Sequence, residues 1–348
     1  VTLLRENAPF WLLFAIALLA AVTLAAGGWW PLLVPVFVFV VVPAGDALFG
    51  RDQHDLGPHQ WWHDLPLWAW VPLQLGLVAW LAATAGGRTL TELAIATFAV
   101  GLLAGAGGIT IAHELVHRKG RRERALAELL MTAVNYPWFC VEHVLGHHRN
   151  VGTARDPATS RLGESLYAFL PRTLLGSFTS FWSVERDYAG RRGIPPWDLR
   201  DRRLRYLVSL AALHVLVLAA TGPWGWAVFV GQSVVAVLLL EVVNYVEHYG
   251  LLRREVAPGE FERVRPHHSW NSTMWLSGAF LFHLPRHADH HAFASRPYHE
   301  LRAWPDSPEL PWGYATAVLV AFVPPVWRRV MDPRVVAARA ASRCQPQL

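Results

Sequence analysis

Charge is missing from this chain in long blocks. Residues 7–45 hold no Asp, Glu, Lys or Arg, a run of 39 residues. One helical crossing of a bilayer takes about 20 residues, so this run suits two, and Gly27-Gly28-Trp29-Trp30-Pro31 predicts a tight turn between them. Further uncharged runs cover 65–87, 93–112 and 206–240, the last broken at Thr221-Gly222-Pro223-Trp224-Gly225. The expected fold is an all-α integral membrane protein. Six transmembrane helices in three hairpins would occupy about 9–27, 29–45, 65–87, 93–112, 206–220 and 225–246. A cleaved leader is the rival reading of the first run, but a second apolar stretch follows where a polar mature start belongs.

The basic residues give an orientation. With the N-terminus inside, the outer loops hold only Arg88, and the other 30 of the 31 Lys and Arg lie within. That is the positive-inside pattern, and it accounts for the net charge of +5 without nucleic-acid binding. The expected placement is the inner (cytoplasmic) membrane, with both termini on the cytoplasmic side. Segments 113–205 and 247–335 would form a histidine-rich cytoplasmic cap, making 1–335 one domain and 336–348 a tail. The apolar stretches 165–183 and 312–327 read as interfacial or re-entrant, and the chain from Arg328 onward as loosely ordered. Cys140 and Cys344 are the only cysteines, which excludes a disulfide scaffold and any four-thiolate iron site.

Nine of the 17 histidines fall in four clusters at the inner ends of spans or in the inner segments. They are His113 and His117; His143, His147 and His148; His248; and His287, His290 and His291. Residues four apart share a helix face, so His113 and His117 can reach one metal, and His143 and His147 repeat that spacing. One zinc takes about four ligands, so nine imidazoles require at least two metal ions. Imidazole suits zinc, copper, iron and nickel alike. Glu114, Glu142, Glu247 and Asp289 accompany the clusters and could fix ring tautomers, or some could bridge or bind metal directly. The His113-Glu114-x-x-His117 pentapeptide alone also matches a zinc protease, but the surplus of histidines argues against a single zinc. Further candidates near the metals are His283, four residues before His287, His268 and Asn244. Gly105, Gly108 and Thr110 could leave room for a substrate or simply pack tightly. His214 reads as a helix–helix hydrogen-bonding residue, and His54, His59, His63 and His299 as surface or interfacial.

At this point the motifs become specific. They are His113-Glu-Leu-Val-His-Arg118, Glu142-His-Val-Leu-Gly-His-His148 with Asp156-Pro157, Asn244-Tyr-Val-Glu-His-Tyr-Gly250, His268-Ser-Trp-Asn271, and Leu284-Pro-Arg-His-Ala-Asp-His-His-Ala292. In order and separation the chain resembles the membrane-bound alkane monooxygenase (alkane hydroxylase) family, within the membrane desaturase and hydroxylase superfamily. The resemblance runs from about residue 40 to 335, and Asn244 to Gly250 distinguishes it from general desaturases. It implies two non-haem iron ions on the nine histidines named above. It also implies O2-dependent hydroxylation of the terminal methyl of medium or long n-alkanes. Rubredoxin, reduced by a rubredoxin reductase, would supply electrons. Arg118 stands where Lys is common and Pro285 where Gln is common. A desaturase or an aromatic-methyl hydroxylase is the alternative within the superfamily.

Overall fold

The computed structural model describes residues 7–343, and helix dominates. Five helical segments are long and apolar enough to cross a membrane: Ala8–Ala26, Trp30–Phe49, Trp61–Ala83, Leu90–Val116 and Arg202–His248. The expected breaks fall where the backbone demands them. Gly27 and Gly28 both take positive φ, which glycine adopts at no steric cost. Trp29, Trp30, Trp224 and Trp226 stay exposed near the chain reversals, as tryptophan does at a membrane interface.

The ends shift for local reasons. The fourth segment starts at Leu90, not 93, because Thr89 and Glu92 form a capping box: the Thr89 hydroxyl accepts the Glu92 N–H and the Glu92 carboxylate accepts the Thr89 N–H. It also runs past 112 to Val116, so His113 is an interior helical residue. The third ends at Ala83, short of 87, ahead of a turn with Gly87 at φ 79°.

The 47-residue segment Arg202–His248 is two helices divided at Gly222 (φ 71°, ψ −174°). Trp226 Nε1 donates to His214 Nδ1 at 2.9 Å. Twelve residues of straight helix span about 18 Å, so the chain must double back here. The other ring nitrogen of His214 lies 2.9 Å from Asn135 Oδ1, the interhelical bond expected of it. The arm 223–248 packs against Leu90–Leu103 through glycine: a Cβ on Gly101 would fall 2.6 Å from Val235 Cβ and 2.8 Å from the Gln232 carbonyl oxygen.

Outside these segments the chain forms further helices at Arg121–Ala133, Leu166–Arg191, Trp275–Phe280, His287–Ala292, Tyr314–Ala321 and Pro324–Arg343. A small hairpin, Glu255–Ala257 with Glu260–Phe261, turns on Pro258 and Gly259. The stretch 165–183 belongs to one 26-residue helix that buries Phe169, Thr173, Ser177, Phe181 and Glu185 at a spacing of four. The segment expected to be loose after Arg328 is instead helical to Arg343. Trp327, Met331 and Val335, again four apart, are fully buried in a cluster with Tyr245, Tyr249 and Trp270. That amphipathic period was present in the sequence, masked by the surrounding arginines. Cys344 lies outside the described residues.

Candidate metal centre

The nine histidines meet. Ring nitrogens of His113, His117, His143, His148 and His290 all lie within 4.8 Å of one another, and those of His147, His248, His287 and His291 do the same. Seven of the nine are buried; His117 and His148 are half-buried. The division into five and four departs from simple helical spacing. His113 and His117 share a group as expected, but His143 and His147 part company. Residues His143–His147 form a π-helical turn, whose wider i→i+5 repeat carries His148 round to join His143. Helix His287–Ala292 likewise gives His287 and His291 to one group and His290 to the other.

The geometry fits metal ions. Within the five, Nε2 of His143 lies 3.0 Å from Nε2 of both His117 and His148, and His148 Nε2 lies 3.0 Å from His290 Nε2. Within the four, the Nε2 separations are 3.2 Å for His147–His291, 2.9 Å for His291–His287 and 3.2 Å for His287–His248. Metal–imidazole bonds of about 2.1 Å meeting at right angles put adjacent nitrogens about 3.0 Å apart. Burial, reinforced by neighbouring imidazoles, holds His143, His148, His287, His290 and His291 well below the ordinary histidine pKa, and His117 at about 3. Neutral imidazole is the form that ligates. The buried Nε2 of His113 has no hydrogen-bond partner among the described residues, an atom a bound cation would satisfy.

The accompanying acids divide. Glu247 Oε2 is 3.2 Å from His287 Nε2, and its other oxygen accepts the Tyr314 hydroxyl at 2.8 Å. Burial, helped by the neighbouring Asp156 charge, pushes the Glu142 carboxyl up to about 8 against the opposing pull of His147 and a hydrogen bond with Ser180. Glu114 turns to Arg118, at 2.8 Å, and accepts the Tyr298 N–H. Asp289 meets no imidazole; it accepts from Arg296, the Arg302 N–H and Trp304 Nε1. Asn244 donates to Glu241. His283 belongs to neither group and packs against Phe10. His268 lies elsewhere, 3.3 Å from Glu262.

Two residues were not assigned from the sequence. Asp156 Oδ2 is 3.0 Å from His147 Nδ1, both side chains buried. Burial alone would lower His147, but the Asp156 charge and hydrogen bond more than offset it and raise it. Asn271 Oδ1 accepts the Ala288 N–H at the start of the helix carrying His287, His290 and His291. Asp156-Pro157 and Asn271 stand in quoted motifs, but neither has helical spacing to a histidine. His63 and His299, expected at the surface, are fully buried and stacked with ring centroids 3.9 Å apart. Tyr298 fixes that turn by donating to the His63 carbonyl.

A largely apolar cavity of about 970 Å³, its open mouth included, reaches the histidines. Leu13, Ile16, Val38, Phe39 and Val42 line it on the first two spans, and His113, His143, His287 and Glu247 lie at its polar part. Gly105 and Thr110 line it too. Gly108 does not: it packs on Gln74, which a Cβ would meet at 3.4 Å.

The fatty acid desaturase family profile matches residues 89–318. An alkane 1-monooxygenase 2 of Pseudomonas aeruginosa is 42% identical over 329 residues, covering 91% of this chain and 87% of the relative. The chain belongs to the alkane monooxygenase family. An alkane 1-monooxygenase of Pseudomonas putida is 37% identical over 305 residues, covering 85% of this chain and 76% of that protein. A more distant relative, the hydroxylase component of a Pseudomonas putida xylene/toluene monooxygenase, is 28% identical over 306 residues, with coverages of 86% and 81%. The relatives named alkane 1-monooxygenase mark the chain as an oxidoreductase of the membrane desaturase and hydroxylase superfamily.

Proposed function

We propose that this chain hydroxylates the terminal methyl of a medium- or long-chain n-alkane to the 1-alkanol. The observation that carries this is the apolar cavity whose polar end touches histidines of both groups. Pockets of this kind bind hydrophobic ligands and use a few polar groups to fix their orientation. One oxygen atom of O2 enters a C–H bond; the other leaves as water, consuming two electrons and two protons. Rubredoxin, reduced by its reductase, supplies the electrons.

The five and four imidazoles would each hold one iron, and when bound the iron pair supplies the O2-activating redox chemistry. The chain does the rest. Leu13, Ile16, Val38 and Phe39 exclude water and admit a chain from the bilayer. Phe139 stacks on His143, with centroids 4.7 Å apart, and fixes that ring beside the cavity. Asp156 holds the Nδ1 proton of His147 and so directs Nε2 inward. Glu247, steadied by Tyr314, stands close enough to His287 to accept a proton or a metal bond.

In this reading Arg202–His248 crosses twice, giving six crossings. The histidines and both termini face the cytoplasm across the inner membrane. The domain covers about residues 1–335, followed by a tail at 336–348. The zinc-protease alternative lacks its base, because Glu114 is engaged by Arg118 and Tyr298. The xylene/toluene relative favours one second reading, hydroxylation of an aromatic methyl. Cells expressing the chain with a rubredoxin system should convert an n-alkane series to 1-alkanols, and His248→Ala should abolish this. Benzyl alcohol from toluene with no 1-alkanol would favour the second reading, and an alkene would indicate a desaturase.

A further inference from the structure

We propose that His59 and His299, with the carboxylate of Glu300, form a further transition-metal site, separate from the nine histidines and open to solvent. Ring nitrogens of His59, His63 and His299 lie within 4.8 Å of one another. His299 is fully buried, yet neither of its ring nitrogens has a hydrogen-bond partner among the described residues. Burying such a group unpaired is costly, and buried polar groups are almost always paired. His214 shows the ordinary solution, one nitrogen on Asn135 and the other taken by Trp226. A cation would satisfy His299 in the same way.

The neighbours are arranged as a ligand set requires. His59 Nε2 lies 3.3 Å from Asp64 Oδ2, which holds the ring proton there and leaves the lone pair on Nδ1. That Nδ1 is buried and also has no hydrogen-bond partner among the described residues. Glu300 Oε1 accepts the His59 N–H at 2.9 Å and lies 3.8 Å from His299 Nε2, bringing negative charge to both rings. His63 has a different part. Its Nδ1 accepts the Gln60 N–H at 3.0 Å, and its ring stacks within 16° of parallel on His299, so it holds that ring in place. Burial, with His63, His59 and Arg118 nearby, keeps His299 at about 2, so the ring stays in the neutral form that ligates. Two imidazoles and a carboxylate suit zinc, iron and their first-row neighbours. His59 and Glu300 are half-buried, which gives an ion a way in from solvent and makes this site more exchangeable than the enclosed pair. Asp64 also accepts from Arg118 at 3.2 Å, and Arg118 pairs with Glu114. One chain of charges therefore joins this site to the helix that carries His113.

The test is zinc binding by the purified full chain in neutral-lipid nanodiscs, already saturated with iron and dialysed. Iron and zinc are counted together by mass spectrometry across a zinc titration, and X-ray absorption at the zinc edge reads the donors. The parent should take up one zinc per chain with no loss of iron, in a shell of nitrogen and oxygen donors that includes imidazole. His299→Phe, which keeps an aromatic ring against His63, and His59→Ala, at a half-buried position, should each weaken that zinc at least about tenfold and keep the parent's iron. If His299→Phe loses iron as well, His59→Ala alone decides. His54→Ala removes an exposed histidine of the same loop, paired only with Asp52, and should bind zinc as the parent does. A parent that takes up no zinc, zinc that enters only by expelling iron, or parent-like zinc binding by His59→Ala overturns the proposal. None of these outcomes bears on the reaction proposed above, which rests on the other nine histidines.

Discussion

Asp156 gives the sharpest handle on the division of the histidines. Its Oδ2 accepts from His147 Nδ1 at 3.0 Å and from the Thr159 hydroxyl at 2.6 Å. It contacts no other histidine of the nine by hydrogen bond, and His147 belongs to the group of four. Asp156→Asn keeps the shape and an accepting oxygen but removes the charge. A charge-assisted hydrogen bond is about twice as strong as a neutral one. Loss of such an outer carboxylate typically weakens a metal about 10–100-fold, or about 1.4–2.7 kcal/mol. The assay is metal content per chain after dialysis against a graded chelator series. In the variant, one metal should leave at about 10–100-fold lower free chelator, while the other leaves as in the parent. Two metals leaving in parallel, or no change in either, would refute the five-and-four division and the role given to Asp156.

Other outcomes follow from packing and charge. Gly101→Val forces a side chain into Val235 and the Gln232 carbonyl, so overpacking of about 1–3 kcal/mol should lower the thermal midpoint in detergent. Val243→Trp fills part of the cavity and should cut turnover of longer n-alkanes more than shorter ones, measured by product chromatography. Glu164 is raised by burial, but two hydrogen bonds from Arg172 and one from the Arg161 N–H more than offset this and lower it from the ordinary 4.5. A lowered carboxyl stabilises the fold above its unfolded pKa, and that contribution is lost as pH falls through the folded value. Glu164→Gln should therefore flatten the decline of the thermal midpoint below about pH 4.5, read by a melting series across acid buffers.

The crossings were legible because missing charge is a one-dimensional signal, and Gly222 is a break readable from its lack of a Cβ, which lets it take φ 71°. The nine histidines were legible as clusters for the same reason. Their partition was not: it depends on the π turn at His143–His147, and nothing in the residue types announces that wider turn. Glu114 illustrates the opposite error. Its place between two histidines suggests a metal role, yet Arg118 one turn on draws it away. Asp156, His63 and His299 sit in turns or short 3-10 helices, where no period tells burial from exposure. The helix after Pro324 was readable from the four-residue spacing of Trp327, Met331 and Val335, had the arginines between them not suggested a solvated tail.

One measurement bears most directly on the central claim. The purified chain, loaded with iron and supplied with reduced rubredoxin and an n-alkane, is run under ¹⁸O-labelled O2. The account predicts 1-alkanol carrying a single ¹⁸O atom, formed only when about two irons are bound per chain. Alkanol without the label, or no oxidised product from a chain carrying both irons, would contradict it.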